Sequence, residues 1–121
     1  MTIEECYQEL GGNYAEVCTR LPSPRLVEKF VGKFLDDRSY ETLVEQIAAG
    51  NRAEAFRAAH TMKGVCANLS FTRLFVSASA LTEALRLEGE VIPAEALSLL
   101  EDVRRDYQTT VDAIRRYLAA A

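Results

Sequence analysis

Ala55-Phe56-Arg57-Ala58-Ala59-His60-Thr61-Met62-Lys63-Gly64-Val65-Cys66-Ala67-Asn68-Leu69 holds the only histidine among 121 residues. At about 100° per residue, Phe56, Ala59, Met62, Cys66 and Leu69 fall on one apolar stripe, the pattern of a helix that faces a core. His60 lies roughly 130° from the centre of that stripe and so projects to solvent. Its neighbours on the outer face are small: Ala53 at i−7, Gly64 at i+4 and Ala67 at i+7. Lys63, at i+3, can bring its ammonium beside anything bonded to the ring.

An exposed lone histidine is in most proteins only a polar surface residue. Its surroundings here point further. A neutral ring nitrogen is a nucleophile that can carry a phosphoryl group. Lys63 would then offset the added charge through a charge-assisted hydrogen bond. Gly64 costs about 0.8–1.0 kcal/mol against Ala inside a helix, and room for another molecule beside the ring is a reason to keep it. Phe56, at i−4, sits between the stripe and the open face, either in the core or in a docking patch. Arg57 and Ala67 border the same face.

The flanking sequence divides into helices by its caps. Thr2 with Glu5 reads as a capping box opening a short helix that Gly11-Gly12 ends. Asn13 with Glu16 opens a second, Tyr14 to Leu21. Ser23-Pro24 starts a third, to about Asp37, with Leu26, Val27, Phe30, Val31, Phe34 and Leu35 at core spacing. Ser39 begins another, carrying Tyr40, Leu43, Val44 and Ile47 inward and ending at Gly50. Asn51 with Glu54 caps the histidine helix. Ser70 reads as the cap of the next, Phe71 to about Leu87, with the stripe Phe71, Leu74, Phe75, Ala78, Leu81 and Leu85. Glu88-Gly89-Glu90 is a turn. The last helix starts at Pro93 and spans about 27 residues, or roughly 40 Å. No stretch alternates with period two.

Short loops between amphipathic helices make an all-α, antiparallel four-helix bundle the natural packing, with short additional N-terminal helices across one end. Residues 1–121 read as a single domain. Counting back from the turn at Ser70 brings Ser79, Thr82 and Glu83 level with His60, and Thr82 is the candidate to approach the ring or a partner. The doublets Arg104-Arg105 and Arg115-Arg116 read as a solvated face.

Composition narrows the function classes. A formal charge of −4 argues against general nucleic-acid binding, which needs a basic face. No apolar run approaches the ~20 residues of a membrane span, and the N-terminus lacks the pattern of a signal peptide, so the expectation is a cytoplasmic protein. The cap at the start and Met1 favour a free-standing protein over a domain cut from a larger kinase, an alternative that stays open. Cys6, Cys18 and Cys66 are too few and too scattered for a disulfide framework or a zinc site. No P-loop or Rossmann glycine pattern is present, so an autonomous kinase is not indicated.

His60-Thr61-Met62-Lys63-Gly64, followed by Asn68-Leu69 and then Leu74, Leu81 and Glu83, resembles the histidine-containing phosphotransfer (HPt) domain of bacterial phosphorelays. Leu10-Gly11-Gly12 and the helix lengths agree, and the resemblance covers about residues 1–118. The family usually has a glycine after the Asn-Leu pair. Ser70 stands here, a departure that bears on the turn and not on the chemistry. The resemblance implies His60 as phosphoacceptor, Lys63 as phosphate stabiliser and Gly64 as the clearing for access. It also implies that the end of the bundle crossed by the N-terminal helices lies near the histidine. It implies response-regulator receiver domains and a hybrid sensor kinase as partners of a monomer. No cofactor of its own is implied, since the receiver holds the Mg²⁺. Two alternatives remain: a scaffold bundle that binds a receiver or kinase without transfer, and the dimerisation bundle of a sensor kinase. The latter resembles a hairpin with an acidic residue directly after its histidine, where this chain has Thr61 and Met62.

Overall fold

The computed structural model describes residues 1–86 and 89–120. These form α1 (Ile3–Leu10), α2 (Tyr14–Arg20), α3 (Pro24–Phe34), α4 (Ser39–Ala48), α5 (Arg52–Leu69), α6 (Thr72–Leu85) and α7 (Glu95–Ala120), with no strand among the described residues. The expectation of an all-α bundle holds. The expected end of the sixth helix at Leu87, and Glu88 of the following turn, lie outside the described residues.

The local signals act as read at most helix starts. Thr2 Oγ1 accepts from the Glu5 N–H while Glu5 Oε1 accepts from the Thr2 N–H, closing the capping box. Asn13, Ser23 and Asn51 each accept from the backbone N–H three residues on. The third helix ends three residues earlier than its apolar pattern suggests. After Phe34 the chain tightens into i→i−3 bonds, from Leu35, Asp36 and Asp37 back to Gly32, Lys33 and Phe34. Asp37 then receives both the N–H and the hydroxyl of Ser39 at the start of α4.

Helices α4, α5, α6 and α7 pack in sequence as neighbours, and the stacked rings of Tyr40 and Tyr107, 3.9 Å apart, bring α4 back to α7. The α5–α6 connection is two residues long, so these helices are antiparallel. α3 runs along α7 in the opposite direction: Glu28 accepts from the Tyr117 hydroxyl, and Phe34 meets Tyr107 two to three turns lower. α1 lies against α7, where Glu9 pairs with Arg116. The other arginines read as solvated are exposed, Arg104 and Arg105 being paired with Glu101, Asp102 and Asp106.

All seven helices bury apolar residues in one core, among them Tyr7, Val17, Val31, Leu43, Met62, Leu81 and Ile114. Tyr14, Tyr7, Phe71, Phe34, Tyr107 and Tyr40 form a chain of ring contacts through one end of it. Two residues counted as core on α3 are not in it: Leu26 is 37% and Phe30 38% exposed. α3 is covered along Val27, Val31 and Phe34 only, a narrower face than its apolar spacing offers. Cys6 and Cys66 are buried and Cys18 half-buried, all as free thiols. Burial pushes the Cys66 thiol up to about 12. No helix among the described residues is long and apolar enough to cross a membrane.

The α1–α2 corner does not sit beside the histidine. It grips the α5–α6 turn. The Tyr7 hydroxyl donates to Leu69 O at 2.8 Å, the Asn13 N–H to Ser70 O at 2.8 Å and the Arg73 N–H to Gly11 O at 3.1 Å. His60 lies nine residues before Leu69, about 14 Å along the axis.

Ser70 is not the cap of α6. It closes α5 in the left-handed conformation, φ +56°, where a glycine is usual, because a two-residue reversal requires that backbone. Its hydroxyl donates to Glu16 at 2.7 Å and accepts from Arg20, and Phe71 takes the cap position of α6 without a side-chain bond.

Candidate functional site

α5 is held rigidly at both ends, which fixes what its middle presents. At its C-terminus Arg20 donates to Ala67 O at 3.0 Å and to Asn68 O at 3.2 Å, satisfying carbonyls that a helix end leaves open. Near its N-terminus Arg52 donates to Leu85 O at 2.6 Å and to Gly89 O, fastening α5 to the end of α6.

Between these anchors the outer face is bare. Ala53, Arg57, His60, Gly64 and Ala67 are exposed. The His60 ring nitrogens meet no hydrogen-bonding partner among the described residues. A Cβ built on Gly64 would meet nothing within 4 Å, so the molecule's own packing does not demand glycine there. Lys63 is half-buried and forms no ion pair among the described residues, whereas Arg57 is paired with Glu54 at 2.9 Å. The histidine ring lies 5.9 Å from the Phe56 ring.

Phe56 is neither fully in the core nor fully on the surface. It is half-buried against the core, and it lines an open hollow of about 380 Å³ with Arg57, His60, Thr61 and Arg86. Ala67 lies about two turns from His60, outside this hollow but on the same exposed face.

Thr82 corrects the expectation placed on it. It is 0% exposed, and its hydroxyl donates to Ala78 O at 2.7 Å, so it can touch no partner. Ala78 and Thr82 stand one turn apart on the buried stripe of α6. Ser79 also bonds its own helix, at Phe75 O. The residue that α6 sends to the hollow is Arg86, one turn further on. Its guanidinium lies 5.0 Å from the centre of the Phe56 ring and pairs with Glu83 at 3.1 Å. No group of three or more histidine, cysteine or carboxylate side chains suited to a metal ion occurs among the described residues.

The fold and the site together define a helical bundle that displays one exposed histidine on an accessible face, beside a lysine that forms no ion pair among the described residues. The family model for the Hpt domain matches residues 25–120, and the chain belongs to that family. Its role is therefore histidine phosphotransfer in a two-component phosphorelay, as a phosphoryl carrier whose family interacts with receiver domains and kinases. No curated protein and no solved structure gives a significant match.

Proposed function

We propose that His60 is the phosphoacceptor, and that the chain takes a phosphoryl group from the aspartate of one receiver domain and hands it to another. The observation that carries this reading is the exposed imidazole on a face left open at Gly64, with Lys63, which has no ion pair among the described residues, one turn away. A receiver docks over this face. The Nε2 lone pair of His60 attacks phosphorus in line. The N–P bond forms as the P–O bond to the aspartate breaks, and the carboxylate leaves with the electron pair. Transfer of this kind asks chiefly for positioning and charge neutralisation. The receiver brings the Mg²⁺ ion; this chain brings the nucleophile and Lys63. Reversal of the same step loads the second receiver.

On this reading the chain has no kinase activity of its own, and it acts as a monomer in the cytoplasm. Residues 1–24, outside the family match, belong to the same domain, since their corner is bonded to Leu69, Ser70 and Arg73. Arg57 and Phe56 contribute to the docking surface, as an exposed cation and a half-buried apolar contact.

The test is transfer from a panel of phosphorylated receivers, comparing wild type with His60→Gln. Acid-labile, alkali-stable label on wild type and none on the variant is expected. The variant should unfold within about 0.5 kcal/mol of wild type, because the side chain is exposed. A variant labelled at the wild-type level overturns the assignment. Receivers that bind without any transfer would favour the scaffold. Lys63→Ala should slow transfer by about 3–10-fold, the worth of one partly screened charge contact. An unchanged rate and phosphohistidine lifetime would reduce Lys63 to a surface charge.

A further inference from the structure

α2 has one buried side chain, Val17, where every other described helix has at least three. Tyr14, Cys18 and Leu21 are half-buried against the core. A helix of seven residues has little stability of its own in water. What fastens it is polar and reached by solvent. The Arg20 side chain, 40% exposed, donates to Ala67 O at 3.0 Å, to Asn68 O at 3.2 Å and to the Ser70 hydroxyl. Glu16 accepts from that hydroxyl at 2.7 Å, and the Asn13 N–H donates to Ser70 O. A segment with few buried apolar contacts and exposed bonds opens more readily than the fold as a whole.

The flanks let α2 move as a unit. Gly11-Gly12 precedes it and Leu21-Pro22-Ser23-Pro24 follows, with Leu21 extended at φ −119°, as a residue before proline favours. The α1 side stays fastened without it, through the Tyr7 hydroxyl to Leu69 O and the Arg73 N–H to Gly11 O. Asn13 and Glu16 wall a hollow of about 270 Å³ with Ala67, Ser70 and Phe75, and Cys66, 0% exposed, borders it from the core. On the other side of α2, Arg20 and Leu21 line a groove of about 390 Å³ with Phe30 and Val65. We propose that α2 is a strap that opens as a unit, hinging at Gly12 and at Leu21-Pro22, while the rest of the bundle stays folded. Opening frees the Ala67 and Asn68 carbonyls, bares Cys66 and removes one wall of the groove. α5 is the helix that displays His60, so the strap governs how firmly the C-terminal end of the displayed face is held.

Thiol trapping on the whole chain tests this, with Cys18→Ala in place so that no label sits on α2. The Cys66 thiolate attacks methyl methanethiosulfonate: a new S–S bond forms as the reagent's S–S bond breaks, and methanesulfinate leaves with the electron pair. Burial pushes the Cys66 thiol up to about 12, so the closed form does not react. Peptide mass reports the label at Cys66 separately from any at Cys6. Trapping of Cys66 should run roughly tenfold or more faster than the unfolding equilibrium measured in urea allows, and low urea should hardly change it, because a small opening exposes little surface. Arg20→Ala should speed trapping roughly tenfold, the worth of a charge-assisted bond, and Glu16→Ala by a smaller factor. Ile47→Val, which weakens the core near the opposite end of α5, should leave the rate as it was, since those contacts persist when the strap opens. Trapping at the rate of whole-fold unfolding, with its full urea dependence, overturns the strap. So does a rate that neither Arg20→Ala nor Glu16→Ala moves.

Discussion

Two stretches of α5, about 14 Å apart, are built on opposite terms. Around His60 the helix shows small residues, an imidazole without a hydrogen bond among the described residues, and a glycine whose missing side chain would have touched nothing. Around Ser70 almost every polar group is spoken for. Tyr7, Arg20 and Asn13 donate to the carbonyls of Leu69, Ala67, Asn68 and Ser70. There Gly12 is crowded: a Cβ on it would lie 2.7 Å from the Tyr7 ring and 2.8 Å from Ser70 O. The same residue type thus answers two demands. Gly12 is required by contacts inside the molecule. The space at Gly64 serves nothing inside it; on the proposed reading it is left for a partner that arrives. Openness alone does not carry that reading, since Gly32 is equally free of neighbours. The proposal rests on its conjunction with His60 and Lys63.

Alanine at each glycine breaks or sharpens this contrast. Gly12→Ala should cost about 2–3 kcal/mol, because backbone and ring atoms must both shift to admit the methyl group. Urea unfolding measures it, and a loss under about 0.5 kcal/mol would mean that the corner yields easily. Gly64→Ala should move the other way, gaining up to about 1 kcal/mol from helix propensity with no clash to set against it. Its penalty should appear in receiver-dependent transfer, slowed while loading by phosphoramidate is little changed. Normal transfer in Gly64→Ala would show that the cleared face is not the approach path.

What could be read from the sequence follows the same division. Caps were legible because they are settled within four residues: Thr2 with Glu5, Asn13 with the Glu16 N–H, Asn51 with the Glu54 N–H. The exposure of His60 and its small neighbours was legible because one helix's periodicity decides both. Features set by two helices were not. Thr82 matched His60 in level, but the rotation of α6 turned it inward beside Ala78. Arg86 lay beyond the range counted, and its arrival at Phe56 depends on how Arg52 fastens the end of α6. Leu26 and Phe30 kept core spacing on a helix whose neighbours cover only one side.

Ser70 is where local and tertiary signals compete most directly, and it yields the smallest but most diagnostic change. Read locally, a serine before a helical run is a cap. In the fold it holds a left-handed φ of +56°, which costs a non-glycine residue about 1 kcal/mol relative to glycine. Its hydroxyl, bonded to Glu16 and Arg20, returns a similar amount, roughly 0.5–1.5 kcal/mol for each net bond. Ser70→Ala keeps the backbone strain and loses the bonds, so it should destabilise by about 1 kcal/mol or more. Ser70→Gly loses the bonds and the strain together, so it should fall within about 0.5 kcal/mol of wild type. Thermal or urea unfolding of the pair separates the two contributions. Equal losses in both would show that the strain is negligible and that the serine matters only as the joint between α2 and the turn. A stabilised glycine variant would show instead that the hydroxyl bonds contribute little, and that the grip of α1 and α2 on α5 rests on Tyr7, Asn13 and the Arg20 contacts to carbonyls.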